Sequence, residues 1–211
     1  MSLRLLLADD HEVVREGFRF ILEREGFQVV AEAGDGREAV RLAEMHLPDV
    51  ALLDLSMPQL NGLDAGRQIL QLCDHRVAVV LLTMHHEEHQ IVAALRAGIR
   101  GYIVKTQGVN ALALAIREVA AGGVYLSPCV CGAIVGAYLS GSKAASDPLT
   151  PREREVLQLI VEGKTSKEVA TILALSTKTA ESHRARMMEK LNIHETATLV
   201  RYAIRHGLVE L

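Results

Sequence analysis

The sequence predicts a doubly wound α/β domain with a five-stranded parallel sheet, followed by a smaller all-α domain of four helices. Three observations lead to this fold class. Five short apolar runs alternate with segments of helical periodicity through the first 121 residues, which is the pattern of a parallel sheet with helices on both faces. Several of these runs end in polar residues. The last 63 residues instead carry repeated helix-start and helix-stop signals.

The five runs are interpreted as strands because they are short and rich in Val, Leu and Ile, as buried parallel strands are. Between them, apolar residues recur at the spacing of amphipathic helices. The predicted strands are Arg4–Ala8, Gln28–Ala33, Val50–Leu53, Val77–Leu82 and Tyr102–Val104, and the predicted helices are Val13–Arg24, Gly36–His46, Leu63–Leu72, Glu87–Ala97 and Val109–Ala121.

The C-terminal part begins with a strong helix signal. Thr150 can cap the helix, Pro151 suits its first position, and Glu153 completes a capping box. Three more helices are predicted, to about Leu173, to about Leu191 and over Glu195–His206. The second and third are short helices joined by a tight turn, and the third bears polar and basic residues. This arrangement predicts a helix-turn-helix.

These signals divide the chain into residues 1–123, a linker over 124–147 and a C-terminal domain over 148–211. The linker begins after Gly122-Gly123 and is rich in small residues, which is typical of flexible connections. Its apolar stretch, 128–139, is either a short helix or a plain connector.

Charge, cysteine content and the lack of targeting signals indicate the compartment in which the protein works. The chain has a net charge of −3, but residues 149–211 carry 10 Lys and Arg against 8 Asp and Glu, so its basic character lies there. Cys73, Cys129 and Cys131 lack zinc-finger spacing and fit reduced thiols. We find neither a signal-peptide pattern nor an apolar run long enough to span a bilayer. A cytoplasmic protein without a membrane partner is expected.

Polar residues follow four of the predicted strands, where α/β folds place their sites. Asp9-Asp10 follow the first strand, Asp54 the third, Thr83 the fourth and Lys105 the fifth. Carboxylates that lie close together need a compensating cation, and hard oxygen ligands favour Mg²⁺. A lysine and a hydroxyl suit a phosphoryl group, and a carboxylate can be the nucleophile. The sequence therefore predicts a phosphorylatable aspartate in a magnesium site.

Asp9-Asp10, the stretch Asp54-Leu-Ser-Met-Pro58 with Gly62, Thr83, and Gly101-Tyr-Ile-Val-Lys105 resemble the signature of the receiver domain of response regulators, which has a flavodoxin-like fold. The resemblance implies a role for each residue. Asp54 would accept phosphate from a sensor histidine kinase or a small phosphodonor, giving a covalent aspartyl phosphate. Asp10, Asp54 and the backbone carbonyl of Ser56 would ligate Mg²⁺ directly, and Asp9 would act largely through water.

The same resemblance assigns the switch residues. Lys105 would contact the phosphoryl oxygens, while Thr83 and Tyr102 would repack after phosphorylation. Ser56 and His85 would lie beside the attacking water and tune the intrinsic loss of the phosphoryl group. Thr106 follows the lysine where many receivers have proline.

Leu149-Thr-Pro-Arg-Glu-Arg-Glu-Val-Leu157, Gly163-Lys-Thr-Ser-Lys-Glu-Val-Ala170 and Ser176-Thr-Lys-Thr-Ala-Glu-Ser-His-Arg184 resemble the LuxR-type DNA-binding domain. Together with the receiver, they resemble the NarL/FixJ family of response regulators. Glu181, Ser182 and Ala185 would face bases. The residues implied near phosphates are Thr165, Lys167, Lys178, Thr179, His183, Arg184 and Arg186.

The resemblance implies a transcription regulator rather than an enzyme, in which phosphorylation of Asp54 controls homodimerisation and binding to a double-stranded DNA operator. Two alternatives remain open. One is a metalloenzyme that uses Asp9, Asp10 and Asp54 for phosphate chemistry. The other is a receiver-gated module whose C-terminal helices bind protein instead of DNA.

Overall fold

The computed structural model describes residues 2–84, 88–132 and 148–209. The chain divides into two compact units, Met1–Ala144 and Ala145–Leu211. The first unit alternates strands with helices. Its strands are β1 (Arg4–Ala8), β2 (Gln28–Ala33), β3 (Val50–Asp54), β4 (Ala78–Thr83), β5 (Gly101–Val104) and β6 (Tyr125–Leu126), and its helices are α1 (Glu12–Arg24), α2 (Gly36–His46), α3 (Gly62–Leu72), α4 (Glu88–Arg96) and α5 (Val109–Ala120).

The strands form one parallel sheet in the order β2-β1-β3-β4-β5-β6. The chain order reverses between β1 and β3, and in doubly wound sheets ligands bind outside the carboxyl ends of the strands at such a point. The predicted fold class is confirmed.

Apolar residues cover both faces of the sheet, which explains why the strands are nearly continuous hydrophobic runs. One buried cluster joins the sheet to α1 and α5, through Leu22 and Ile116 among others. The other joins the opposite face to α2, α3 and α4, through Leu42, Ile69 and Ile91. The polar residues that end the strands are thereby held at one edge of a sheet packed on both sides.

In the described part of the chain the sheet has six strands, so the prediction of five was wrong in number. The sixth, β6, pairs with β5 in parallel and contains two residues. Such a short strand has no periodicity that a sequence pattern could reveal. Residues 128–132, at the start of the segment expected to be a helix or a connector, are helical. The remainder of that segment lies outside the described residues, and the limits 1–123, 124–147 and 148–211 stay predictions.

The second unit consists of α6 (Pro151–Val161), α7 (Ser166–Ile172), α8 (Thr177–Leu191) and α9 (Thr196–Arg205). These bounds agree with the predicted helices to within about two residues, as is usual for helix ends. Both α6 and α7 begin with a complete capping box, formed by Thr150 with Glu153 and by Thr165 with Glu168. Among the described residues, no helix has the length and hydropathy that crossing a membrane requires.

Candidate phosphorylation site and nucleic-acid interface

Three strand ends meet around one ammonium group. Lys105 Nζ lies 2.7 Å from Asp9 Oδ2 and 2.9 Å from Asp54 Oδ1. Asp9 follows β1, Asp54 ends β3 and Lys105 follows β5, so residues 45 or more positions apart in sequence share one ion-pair network. The Asp9 side chain is fully buried, whereas that of Asp54 is 8% exposed and keeps contact with solvent.

Backbone groups hold the acid pair in place. The amide of Asp9 donates to the Ala33 carbonyl at the end of β2 (3.2 Å), and the amide of His11 donates to Asp9 Oδ1 (2.9 Å). Asp10 turns outward, with its side chain 33% exposed and its Oδ1 2.8 Å from His11 Nδ1. One carboxylate of the pair therefore faces Lys105 and the other faces solvent.

The strand register places Thr83 at this edge and Tyr102 two positions before it. Thr83 is the buried last residue of β4, and its carbonyl accepts from the amide of Lys105 at 2.7 Å. Tyr102 lies on β5, almost fully buried in the cluster that packs α2, α3 and α4 on the sheet. A movement of the Thr83 backbone would thus shift the backbone of Lys105 through this hydrogen bond.

The loop that follows Asp54 makes a close backbone contact. The amide of Gly62 donates to the Leu55 carbonyl at 2.9 Å, and a Cβ at Gly62 would lie 2.1 Å from the carbonyl oxygen of Asp54. Only glycine fits at such a distance. Ser56 is half-buried in this loop, and His85 lies outside the described residues.

The charges of the site are unbalanced. Burial raises the pKa of Asp54 to about 6, since the charges of Asp9 and Asp10 add to the effect of burial and Lys105 only partly opposes it. Burial lowers the pKa of Lys105, but hydrogen bonds and charges from Asp54 and Asp9 outweigh this and raise it above its usual value. The carboxylates of Asp9 and Asp54 share one lysine, and the charge of Asp10 also acts on Asp54, so a further cation would favour the ionised form of Asp54.

The donor set fits a divalent cation of the magnesium type. Ligand atoms of Asp9, Asp10 and His11 lie within 4.8 Å of one another, and the Asp54 carboxylate is joined to Asp9 through Lys105. Carboxylate oxygens with access to water are the ligands that Mg²⁺ prefers. Residues Asp10 and Asp54 would hold the ion, with the Ser56 carbonyl.

In the second unit, α7 and α8 form the predicted helix-turn-helix. The turn between them contains Ala174, whose φ of 51° lies in the left-handed region and ends the helical path of α7. On α8, Ala180 and Met187 are buried in the core of this unit. The opposite face is polar, and its exposed members are Lys178, Thr179, Glu181, Ser182, Ala185 and Arg186.

The other residues implied in DNA contact differ in exposure and partners. His183 and Arg184 are half-buried, while Thr165 and Lys167 are exposed. Thr165 is also the N-cap of α7, and its hydroxyl donates to Glu168 Oε2 at 2.7 Å. Ser182 donates to the Lys178 carbonyl within α8. In the absence of DNA, the hydroxyls of Thr165 and Ser182 therefore bond to groups of their own helices.

Sequence reasoning missed two residues that contact the first site. Arg15 Nη1 donates to the Asp9 carbonyl at 2.7 Å. Ser127 Oγ, which is fully buried, accepts from the amide of Val104, next to Lys105. Both contacts depend on how distant segments pack, and no spacing in the sequence signals them.

Comparison with known proteins identifies both parts. Residues 5–117 match the family described as response regulator receiver domain, and residues 147–203 match bacterial regulatory proteins of the luxR family. Transcriptional regulatory protein MctR of Rhizobium johnstonii is 38% identical over 209 residues, which cover 99% of this chain and 96% of MctR. Response regulator UvrY of Escherichia coli is 37% identical over 209 residues, covering 98% of this chain and 95% of UvrY.

A solved structure agrees over both units. RcsB from Salmonella enterica serovar Typhimurium, bound to promoter P1flhDC in the presence of phosphomimetic BeF3-, is 27% identical and aligns with a TM-score of 0.64, covering 96% of this chain and 98% of RcsB. The chain therefore belongs to the NarL/FixJ family of response regulators, in which a receiver domain is joined to a LuxR-type DNA-binding domain.

Proposed function

We propose that this response regulator is switched by phosphorylation of Asp54, and that the switch controls binding of its C-terminal unit to a DNA operator. The observation that carries the proposal is the meeting of Asp9, Asp54 and Lys105 at one sheet edge, with Lys105 Nζ within 2.9 Å of both carboxylates. The phosphodonor is a sensor histidine kinase, for which a small phosphodonor can substitute.

In the transfer step, a carboxylate oxygen of Asp54 attacks the phosphorus of the donor phosphohistidine. A P–O bond forms, the P–N bond breaks, and the imidazole takes up a proton. Lys105 neutralises charge on the phosphoryl oxygens, for which it must exchange its present contact with Asp54. Asp10, Asp54 and the Ser56 carbonyl would hold Mg²⁺, and Asp9 would act on it through water. When bound, the ion neutralises the charge that develops on the phosphoryl group.

Phosphorylation is transmitted through Thr83 and Tyr102. The Thr83 hydroxyl turns toward the phosphoryl group, and Tyr102 repacks with it. The backbone bond from Lys105 to Thr83, 2.7 Å long, ties this movement to the lysine. Ser56 and His85 set how quickly water removes the phosphoryl group, so autodephosphorylation limits the active state.

The active state is a homodimer in the cytoplasm, and α8 lies in the major groove of its operator. Glu181, Ser182 and Ala185 face base edges. Contacts to phosphates fix the register and come from the remaining residues of the helix-turn-helix, namely Thr165, Lys167, Lys178, Thr179, His183, Arg184 and Arg186. Two half-sites read by a dimer combine two weak affinities.

Phosphoryl incorporation tests the acceptor. With acetyl phosphate and Mg²⁺, wild-type protein should gain one phosphoryl group by intact-protein mass spectrometry, and Asp54→Asn should gain none. Asp74→Asn is the matched control, because it removes the same charge from an exposed turn. Labelling of Asp54→Asn at the wild-type level would refute Asp54 as the acceptor. Multiple turnover on a phosphoester, with no phosphoryl group left on the protein, would instead support a metalloenzyme.

Selection of bound duplexes from a random pool tests the DNA function. Phosphorylated protein should enrich a sequence with two half-sites, and its affinity should fall steeply with salt. Lys178→Ala and Arg186→Ala should weaken binding, whereas Arg205→Ala, at an exposed position on α9, should not. Equal binding by phosphorylated and unphosphorylated protein would refute the switch, and no selective binding in either state would favour a protein-interaction module.

A further inference from the structure

Arg15 of α1 is bonded to the main chain of the acid pair. Its Nη1 donates to the carbonyl oxygen of Asp9 at 2.7 Å, and its side chain is 18% exposed. The carbonyl of Asp9 and the amide of Asp10 belong to one rigid peptide plane. A donor that fixes this carbonyl therefore fixes the plane from which Asp10 begins.

Glu32 of β2 holds the guanidinium group in turn. Arg15 Nε lies 3.5 Å from Glu32 Oε2, and Arg19 Nη1 bonds the other oxygen, Glu32 Oε1, at 2.8 Å. The carboxylate is 28% exposed and is shared by two arginines on α1. A planar guanidinium can donate to a carboxylate and to a backbone carbonyl at once, which lysine cannot do with the same geometry.

An irregularity in β2 brings Glu32 to this place. Leu5 pairs with Val29 but Leu6 pairs with Ala31, so one residue of β2 has no partner on β1. Val29 packs with the cluster on the α1 side of the sheet, and Ala31 with the opposite cluster. The extra residue therefore reverses which side of the sheet the following residues of β2 face. As a result Glu32, which pairs with Leu7, lies on the side of α1.

We infer that Arg15 is a positioning residue for the divalent-cation site, acting on Asp10 through the Asp9–Asp10 peptide. This inference rests on the metal site of the proposed function. Asp10 needs such support because its side chain is one-third exposed and hydrogen-bonds to His11, which is itself 72% exposed. The main chain is the rigid part of this segment: the Asp9 amide is held by Ala33 and its carbonyl by Arg15.

Charge and positioning predict opposite effects of removing Arg15. If the arginine acted only through its charge, Arg15→Ala would remove a cation near the metal and tighten the binding of Mg²⁺. If it positions Asp10, the same change weakens binding. Arg15→Lys separates the two effects further, because it keeps the charge and loses the planar fork.

The test is calorimetric titration of the full chain with MgCl₂, repeated with MnCl₂. Arg15→Ala and Arg15→Lys should both bind about tenfold more weakly than wild type, the lower end of the effect of removing partners that orient metal ligands. Arg19→Ala is the matched control, since Arg19 bonds the same Glu32 carboxylate but donates to it rather than to Asp9. It should bind within about twofold of wild type, because screening weakens an exposed charge at a distance. Glu32→Gln should fall between wild type and Arg15→Ala.

Circular dichroism at the titration temperature establishes whether each variant is folded. If Arg15→Ala does not fold, the titration of Arg15→Lys alone decides the inference. Asp10→Asn separates failure of the inference from failure of the site. If wild type binds Mg²⁺ through Asp10 and both Arg15 variants bind as tightly or more tightly, the inference alone is overturned. If wild type and Asp10→Asn bind alike, the proposed metal site is wrong and the inference falls with it.

Discussion

Glu153 offers a quantitative test of how the DNA-binding unit is held together. Its Oε2 accepts from the amide of Thr150 at 2.8 Å and from Lys190 Nζ at 2.6 Å. It thereby joins the first turn of α6 to the last turn of α8. Loss of a capping interaction costs about 1 kcal/mol, and a partly exposed ion pair adds up to about 1 kcal/mol. Glu153→Ala should therefore destabilise this unit by about 2 kcal/mol.

Two milder changes separate these contributions. Glu153→Gln keeps an acceptor for the capping box but removes the charge, and Lys190→Met removes the partner. Each should cost less than about 1 kcal/mol, and the double variant should cost no more than either one. Burial raises the pKa of Glu153, but hydrogen bonds from Lys190 and Thr150 outweigh it and hold the pKa below its usual value of 4.5. Since the folded pKa is lowered, the ionic contribution is fully present above pH 4.5 and is lost as the pH falls through the folded pKa.

Hydrogen–deuterium exchange of the full chain provides a local measurement. Peptides from α6 and α8 of Glu153→Ala should exchange about 30-fold faster than those of wild type, because each 1.4 kcal/mol corresponds to a factor of ten. Peptides from the first unit serve as internal controls and should be unchanged. Exchange in Glu153→Ala no faster than in Glu153→Gln would show that the capping box contributes nothing, and a neutral Lys190→Met would remove the ion pair from the explanation.

Three further changes test the receiver and the helix-turn-helix. Gly62→Ala should lower the free energy of unfolding by about 2 kcal/mol or more, because its Cβ would lie 2.1 Å from the carbonyl oxygen of Asp54. It should also slow labelling by acetyl phosphate, and labelling at the wild-type rate would contradict this. Ser127→Ala should cost about 1–3 kcal/mol in denaturant unfolding, since it leaves the buried amide of Val104 without its acceptor; Ser127→Thr, which keeps the hydroxyl, should recover part of the loss. Arg152→Ala should weaken DNA binding and cost the helical unit about 1–2 kcal/mol, because its guanidinium donates to the carbonyl at the end of α7 at 2.6 Å; unchanged exchange in α7 would refute it.

Much of the candidate site could be predicted from the sequence, by the rule that sites of α/β folds lie at the carboxyl ends of the strands. This rule placed Asp9, Asp54 and Lys105 at one edge of a parallel sheet, and the structure brings the ammonium group of Lys105 within hydrogen-bond distance of both carboxylates. The rule worked because apolar runs in the sequence have strand length and because parallel strands must all end at the same edge. The helical unit was equally predictable, since Thr150 and Glu153 form the capping box that their spacing indicates.

Contacts that depend on register were beyond prediction. The pairing of Glu32 with Arg15 requires an extra residue in β2, and a strand of six residues gives no periodic signal strong enough to locate it. Ser127 falls in a segment of small residues expected to be a flexible linker, yet it is fully buried. A single buried hydroxyl does not alter the composition by which linkers are recognised.

The short strand β6 determines which part of the receiver the exiting chain is attached to. The amide of Ser127 donates to the Tyr102 carbonyl at 3.0 Å, its hydroxyl accepts from the amide of Val104 at 3.0 Å, and it donates to Gln107 Oε1 at 2.9 Å. Two of these hydrogen bonds fasten the segment to β5, the strand that bears Tyr102 and leads into Lys105, and the third fastens it to the loop that follows. A shift of the β5 backbone must either carry residues 125–127 with it or break these bonds, and broken bonds at a buried site are costly. Among the described residues, the segment that leaves the sheet is therefore held to β5 both by the pairing of β6 and by the hydrogen bonds of Ser127.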